Sequence, residues 1–68
     1  MSLGERIKKA RRGRFTQDEL AERLNVSRQL ISKWERNKSE PNLRLLSKLA
    51  EELEVSRDFL IDGVLEED

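Results

Sequence analysis

Sixty-eight residues, 41% of them charged and none of them cysteine or histidine, leave room for one small domain and exclude a disulfide framework or an ordinary zinc site. The same absences remove the common nucleophile–base pairs, and no glycine-rich phosphate loop occurs, so no enzyme, cofactor or metal is expected. The formal net charge is zero, yet residues 1–38 hold eleven Lys or Arg against five Asp or Glu, while residues 39–68 hold three against nine.

Ser2, with Glu5 three residues on, forms a capping box that opens a first helix. Leu3, Ile7 and Ala10 recur along it at helical spacing, and Arg6, Lys8, Lys9, Arg11 and Arg12 take its outer surface, with Arg6 in solvent. Gly13 closes the helix, and Phe15 drops from the following turn into the core. Thr16 and Glu19 form a second capping box for a helix of eight or nine residues, with Leu20, Ala21 and Leu24 as its apolar members. Asn25 suits the left-handed turn that ends it. Ser27 then caps a third helix, residues 27–35, in which Ile31 and Trp34 share one face. Arg28, Gln29, Ser32 and Lys33 fall largely on the other.

Asn37 again suits a left-handed exit, and Pro41 keeps Glu40 out of helical geometry. Asn42 caps a fourth helix running to about Leu53, with Leu43, Leu46, Leu49, Ala50 and Leu53 on its buried stripe and Leu45 at the edge. Ser56 caps a fifth helix holding Phe59, Leu60 and Ile61, which Gly63 ends. The expected fold is all-α, five short helices around one core over residues 1–62, with residues 63–68 as an acidic tail. No apolar run approaches the roughly 20 residues that cross a bilayer, and the start lacks a signal-peptide pattern, so a cytoplasmic protein without a membrane partner is expected.

Two short helices joined by a tight turn, the second polar on its outer face, make a helix-turn-helix arrangement. Arginine suits the O6 and N7 of guanine, glutamine the N6 and N7 of adenine, and a basic first half suits phosphates. A solvated amphipathic helix is the plain alternative for these same residues.

The run from Phe15-Thr16-Gln17-Asp18-Glu19-Leu20-Ala21, through Asn25-Val26-Ser27-Arg28-Gln29 and Ile31-Ser32-Lys33-Trp34-Glu35, to Lys38-Ser39-Glu40-Pro41 resembles the Cro/C1-type (XRE) helix-turn-helix domain. The likeness continues through Leu46, Leu49-Ala50 and Val55 to Phe59-Leu60. It implies a five-helix domain binding double-stranded DNA, usually in a transcriptional repressor or regulator that acts as a homodimer on a near-palindromic operator. By that likeness Arg28, Gln29, Lys33 and, more weakly, Ser32 contact bases, and Gln17, Asn37, Lys38 and Arg44 contact phosphates. Arg14 joins them, as do Lys8, Lys9 and Arg12, for which exposed solvated charge is the alternative. Glu35 pairs with Arg11, and Trp34 anchors the third helix from the core edge. Val55, Phe59, Ile61, Val64 and Leu65 offer the apolar surface for a dimer.

Three positions depart from the family pattern. Asn25 and Asn37 stand where glycine is common, and Leu30 stands where a small polar residue is common. Leu30 therefore either touches a thymine methyl or closes the core edge. Two other readings use the same fold: a protein-interaction module of the antitoxin or anti-repressor kind, and the N-terminal part of a longer regulator.

Overall fold

The computed structural model describes residues 1–62. They form α1 (Leu3–Arg12), α2 (Gln17–Leu24), α3 (Arg28–Glu35), α4 (Leu43–Leu53) and α5 (Arg57–Asp62). Each of the first four helices starts where a side chain replaces a missing turn. Ser2, Thr16, Ser27 and Asn42 each accept a hydrogen bond from the backbone N–H three residues on. Ser56 does the same for Phe59 at the start of α5 (2.9 Å). At α1 and α2 the box closes, because Glu5 and Glu19 accept from the backbone N–H of Ser2 and Thr16. The bonds from the backbone and hydroxyl of Ser2 hold the Glu5 carboxyl below its ordinary range.

The helix ends are equally local in cause. The backbone N–H of Val26, Lys38 and Val55 reaches back to the carbonyl of Ala21, Lys33 and Ala50 at 3.0, 2.8 and 3.0 Å. Such a closure needs a left-handed residue just before the donor. Asn25, Asn37 and Glu54 fill that place, with φ of 58°, 60° and 56°. The two asparagines are as expected, whereas nothing in the sequence marks Glu54 for this conformation.

Ile7, Leu20, Ala21, Leu24, Ile31, Trp34, Leu46, Leu49, Ala50, Leu53 and Leu60 form one buried cluster. α3 packs on α1 and α2, α4 on α2 and α5, and α5 on α1. The third helix is thus supported from behind by two others while its outer side faces solvent. Among the described residues no helix is long and apolar enough to cross a membrane.

Three expectations are corrected, one of them Arg11, which is buried against Glu35 rather than on the outer surface of α1. Leu43 is 68% exposed and not on the buried stripe. It is the first residue of α4, and a helical side chain leans toward the N-terminus, so it overhangs the end of the core. Arg6 is buried rather than in solvent. Position 6 lies on the seam between α1 and α5, where the last carbonyls of α5 need donors. Its Nε donates to Leu60 O (2.8 Å) and its Nη2 to Ile61 O (2.5 Å), while Nη1 donates to Met1 O.

Gly4 sets how closely α1 approaches the end of α3. A Cβ at this position would lie 2.3 Å from the Trp34 carbonyl oxygen and 2.7 Å from that of Glu35, both backbone atoms. The helices would have to separate. Gly4→Ala is expected to cost about 3 kcal/mol in urea unfolding. Gly13→Ala is the control, since Gly13 has φ −80° and open space around a Cβ, and it should change stability by less than about 1 kcal/mol.

Candidate nucleic-acid interface

The pose of α3 is set from its inward side. Ile31 and Trp34 are buried in the core, and Glu35 lies beside them with its side chain 3% exposed. The Glu35 carboxylate accepts from Arg11 twice, at Oε2 from Nε (2.5 Å) and at Oε1 from Nη2 (3.0 Å). Oε1 also accepts from Gln17 Nε2 at 3.0 Å. Arg11 Nη1 completes the group by donating to Phe15 O, 3.1 Å away in the turn between α1 and α2. One buried carboxylate therefore joins α1, the start of α2 and α3, and the expected Arg11–Glu35 pair is present in bidentate form.

A second tie lies past the end of α3. Gly4 N–H donates to Asn37 Oδ1 (3.0 Å), and Asn37 Nδ2 donates to Ser2 Oγ (2.9 Å). The left-handed turn that ends α3 is thereby latched to the start of α1. No local pattern announces this contact, because its residues are more than thirty positions apart.

On the outward side, Arg28, Gln29, Ser32 and Lys33 line one shallow depression, together with Arg36. Arg28, Gln29 and Lys33 are exposed and Ser32 is half-buried. Arg28 Nε lies 3.7 Å from Asp18 Oδ1, an exposed and therefore weak pairing that a ligand displaces at small cost. Lys33, Arg36 and Lys38 form no ion pair among the described residues. Leu30 is half-buried against the edge of the core and keeps part of its side chain exposed.

The residues expected at phosphates do not form one group. Gln17 commits one amide proton to Glu35 and keeps the other for an acceptor beyond the start of α2, where Arg11, Arg12, Thr16 and Arg28 line the same hollow. Lys38 is exposed beyond α3. The Asn37 side chain is taken up by Gly4 and Ser2. Arg44 lies apart, in a hollow with Asn25, Asn42 and Lys48. Arg14 is turned to α4, where it pairs with Glu54 and lies near the Phe15 ring.

Of the residues expected in a dimer contact, Val55 and Phe59 pack half-buried on the chain's own core, and Ile61 is 47% exposed. Val64 and Leu65 lie outside the described residues, as do Gly63 and the acidic tail. Among the described residues no group of three or more His, Cys, Asp or Glu has the geometry to hold a metal ion.

Five capped helices, the second and third joined by a left-handed turn at Asn25 and the third polar on its outer side, define a helix-turn-helix DNA-binding domain. Residues 7–60 match the family described as helix-turn-helix. The chain is 44% identical over 62 residues to a prophage-derived HTH-type transcriptional regulator, YonR, of Bacillus subtilis, covering 90% of this chain and 57% of that protein. It is 41% identical over 64 residues to the HTH-type transcriptional activator BcrR of Enterococcus faecalis, covering 93% of this chain and 31% of that one. A crystal structure of the P22 c2 repressor in complex with a synthetic operator superposes with a TM-score of 0.89 at 37% identity, covering 94% of this chain and 98% of that one. The chain belongs to the helix-turn-helix family of Cro/C1-type (XRE) transcriptional regulators. It spans just over half of the length of YonR and about a third of BcrR.

If the buried carboxylate holds α3, removing its charge leaves Arg11 without its counter-ion in a buried site. Glu35→Gln should lower the unfolding free energy by about 3 kcal/mol, and Arg11→Met with Glu35→Leu should recover most of that loss. A urea titration in which Glu35→Gln matches the wild type would show that the apolar contacts alone fix the helix.

Proposed function

We propose that this chain is the operator-reading domain of a transcriptional repressor that acts in the cytoplasm as a homodimer on a near-palindromic duplex. α3 enters the major groove with Arg28, Gln29, Lys33 and Ser32 at base edges, while Gln17, Lys38 and Arg44 meet phosphates. The observation that carries this reading is the outward stripe of α3. Arginine, glutamine and lysine side chains stand together on the exposed face of a helix whose inner face is locked by Ile31, Trp34 and Glu35. Base reading needs that combination, because donors discriminate between bases only when their positions are fixed.

Further support comes from charge. The Gln17 amide and the unpaired Lys38 lie beyond the two ends of the stripe, where a duplex presents its phosphates beside the groove. Relatives named as an activator and as a repressor occur, BcrR and the repressor protein C2 of Salmonella phage P22. The repressor role rests on the structural likeness to the P22 protein. A dimer follows from the small footprint of one domain, which reads only a half-site, with Ile61 and the half-buried Val55 and Phe59 at its contact and Val64 and Leu65 joining them. Half-sites centred about 34 Å apart would place two copies of α3 in successive major grooves.

Selection from a random-sequence duplex pool at two salt concentrations tests the reading. The wild type should enrich a twofold-symmetric motif. The Arg28→Ala/Gln29→Ala double variant should lose roughly two orders of magnitude on that motif while keeping weak, salt-sensitive binding to any duplex. No enrichment by the wild type would refute the proposal, and a strictly monomeric sediment with and without the enriched duplex would refute its dimeric part.

A further inference from the structure

We infer that Arg36 and Ser32 act as one sequence-reading unit, which makes Arg36 a further specificity-determining residue at the end of α3. The inference rests on the DNA-reading function proposed above. Arg36 follows the last residue of α3, four positions after Ser32 and three after Lys33, so all three share the outward side. It lines the same depression as Arg28, Gln29, Ser32 and Lys33. Its Nε donates to both the carbonyl oxygen of Ser32 (3.3 Å) and the hydroxyl oxygen (3.2 Å). The end of a helix carries unsatisfied carbonyls and partial negative charge, which is why a guanidinium settles there.

Two chemical consequences follow from that shared hydrogen. First, a guanidinium is a rigid plane, so engaging Nε fixes the plane against the helix. Nη1 and Nη2 make no hydrogen bond among the described residues, and Arg36 is exposed. Their end-on fork matches the O6 and N7 of guanine. Second, Ser32 Oγ accepts from Arg36, which leaves its own proton to give. A free serine hydroxyl either donates or accepts and so distinguishes bases poorly. With one lone pair engaged by a cationic donor, this one is biased toward donating, which suits purine N7, guanine O6 or thymine O4 better than the amino groups of cytosine and adenine. Arg36 thus reads one base edge itself and positions the serine that reads the neighbouring one.

The test uses the 68-residue chain and four variants, Ser32→Ala, Arg36→Ala, Arg36→Lys and the Ser32→Ala/Arg36→Ala double, each selected on the random duplex pool. Affinities are then measured on the enriched duplex and its single-base variants. Arg36→Ala should weaken binding of the enriched duplex about tenfold and relax the preference at the base pair that Ser32→Ala also relaxes. The double variant should be no less selective at that pair than Ser32→Ala alone. Arg36→Lys keeps the charge and the salt dependence but has no Nε–H to share, so it should relax the same pair. All four side-chain changes lie outside the buried cluster, and thermal unfolding at the wild-type midpoint verifies that the fold is kept.

Loss of affinity by Arg36→Ala that is equal on every sequence, with the salt slope falling by roughly one, would make Arg36 a phosphate contact and overturn the assignment. Wild-type base preference retained by Arg36→Lys would overturn it too. In either case the wild type still enriches a motif and the DNA-reading function stands. A wild type that enriches nothing removes both.

Discussion

On the inner side of the last turn of α3, the Glu35 carboxylate meets the guanidinium of Arg11 and the amide of Gln17, and every outward side chain inherits its aim from that meeting. Ile31 and Trp34 bury α3 against the core, but apolar contact is non-directional and tolerates a small rotation about the helix axis. A hundred degrees separates neighbouring residues on a helix, so a modest turn would exchange one side chain for the next at the surface. The fork of Arg11 on Glu35 admits one orientation. A buried ion pair is a poor source of net stability, since desolvation offsets most of its attraction. Here its contribution is the angle at which α3 is held. Because Gln17 shares the same carboxylate, the start of α2 and the outward face of α3 are held to one fixed point.

Much of this was legible in the sequence wherever the cause is local. Ser2, Thr16, Ser27 and Asn42 bond backbone within their own first turn, and Asn25 and Asn37 adopt a left-handed conformation that few other residues tolerate. The outward grouping of Arg28, Gln29, Ser32 and Lys33 follows from helical spacing alone. What escaped was set by distant chain. Arg6 has the composition of a surface residue, but α5 arrives beside it and needs its donors. Leu43 fits the apolar period of α4 yet has no element opposite it. Arg14 reaches Glu54, forty positions on, through an exposed pair that no local pattern announces. The Arg11–Glu35 pair could be expected only through family likeness, since no periodicity links two residues on different helices.

The folded chain also redistributes its charge. Arg14 and Arg23 flank the Phe15 ring and pair with Glu54 and Glu52, at and near the end of α4. These pairings use acids of the second half to neutralise bases of the first, on the side where α2 meets α4. Lys33, Arg36 and Lys38 are left without such neighbours at the end of α3. A chain of zero formal charge therefore keeps a group of unpaired positive charges at the end of α3, and their attraction for anions weakens as salt rises.

Arg6 has a consequence for architecture. One guanidinium gathers the carbonyl of Met1 and the final carbonyls of α5, so the two ends of the described chain come together on the seam between α1 and α5. The start of α1 is also held to the turn that ends α3, through Asn37. Arg6 thereby makes the start of the chain and the end of α5 one mechanical unit, so a pull on either is transmitted to the other.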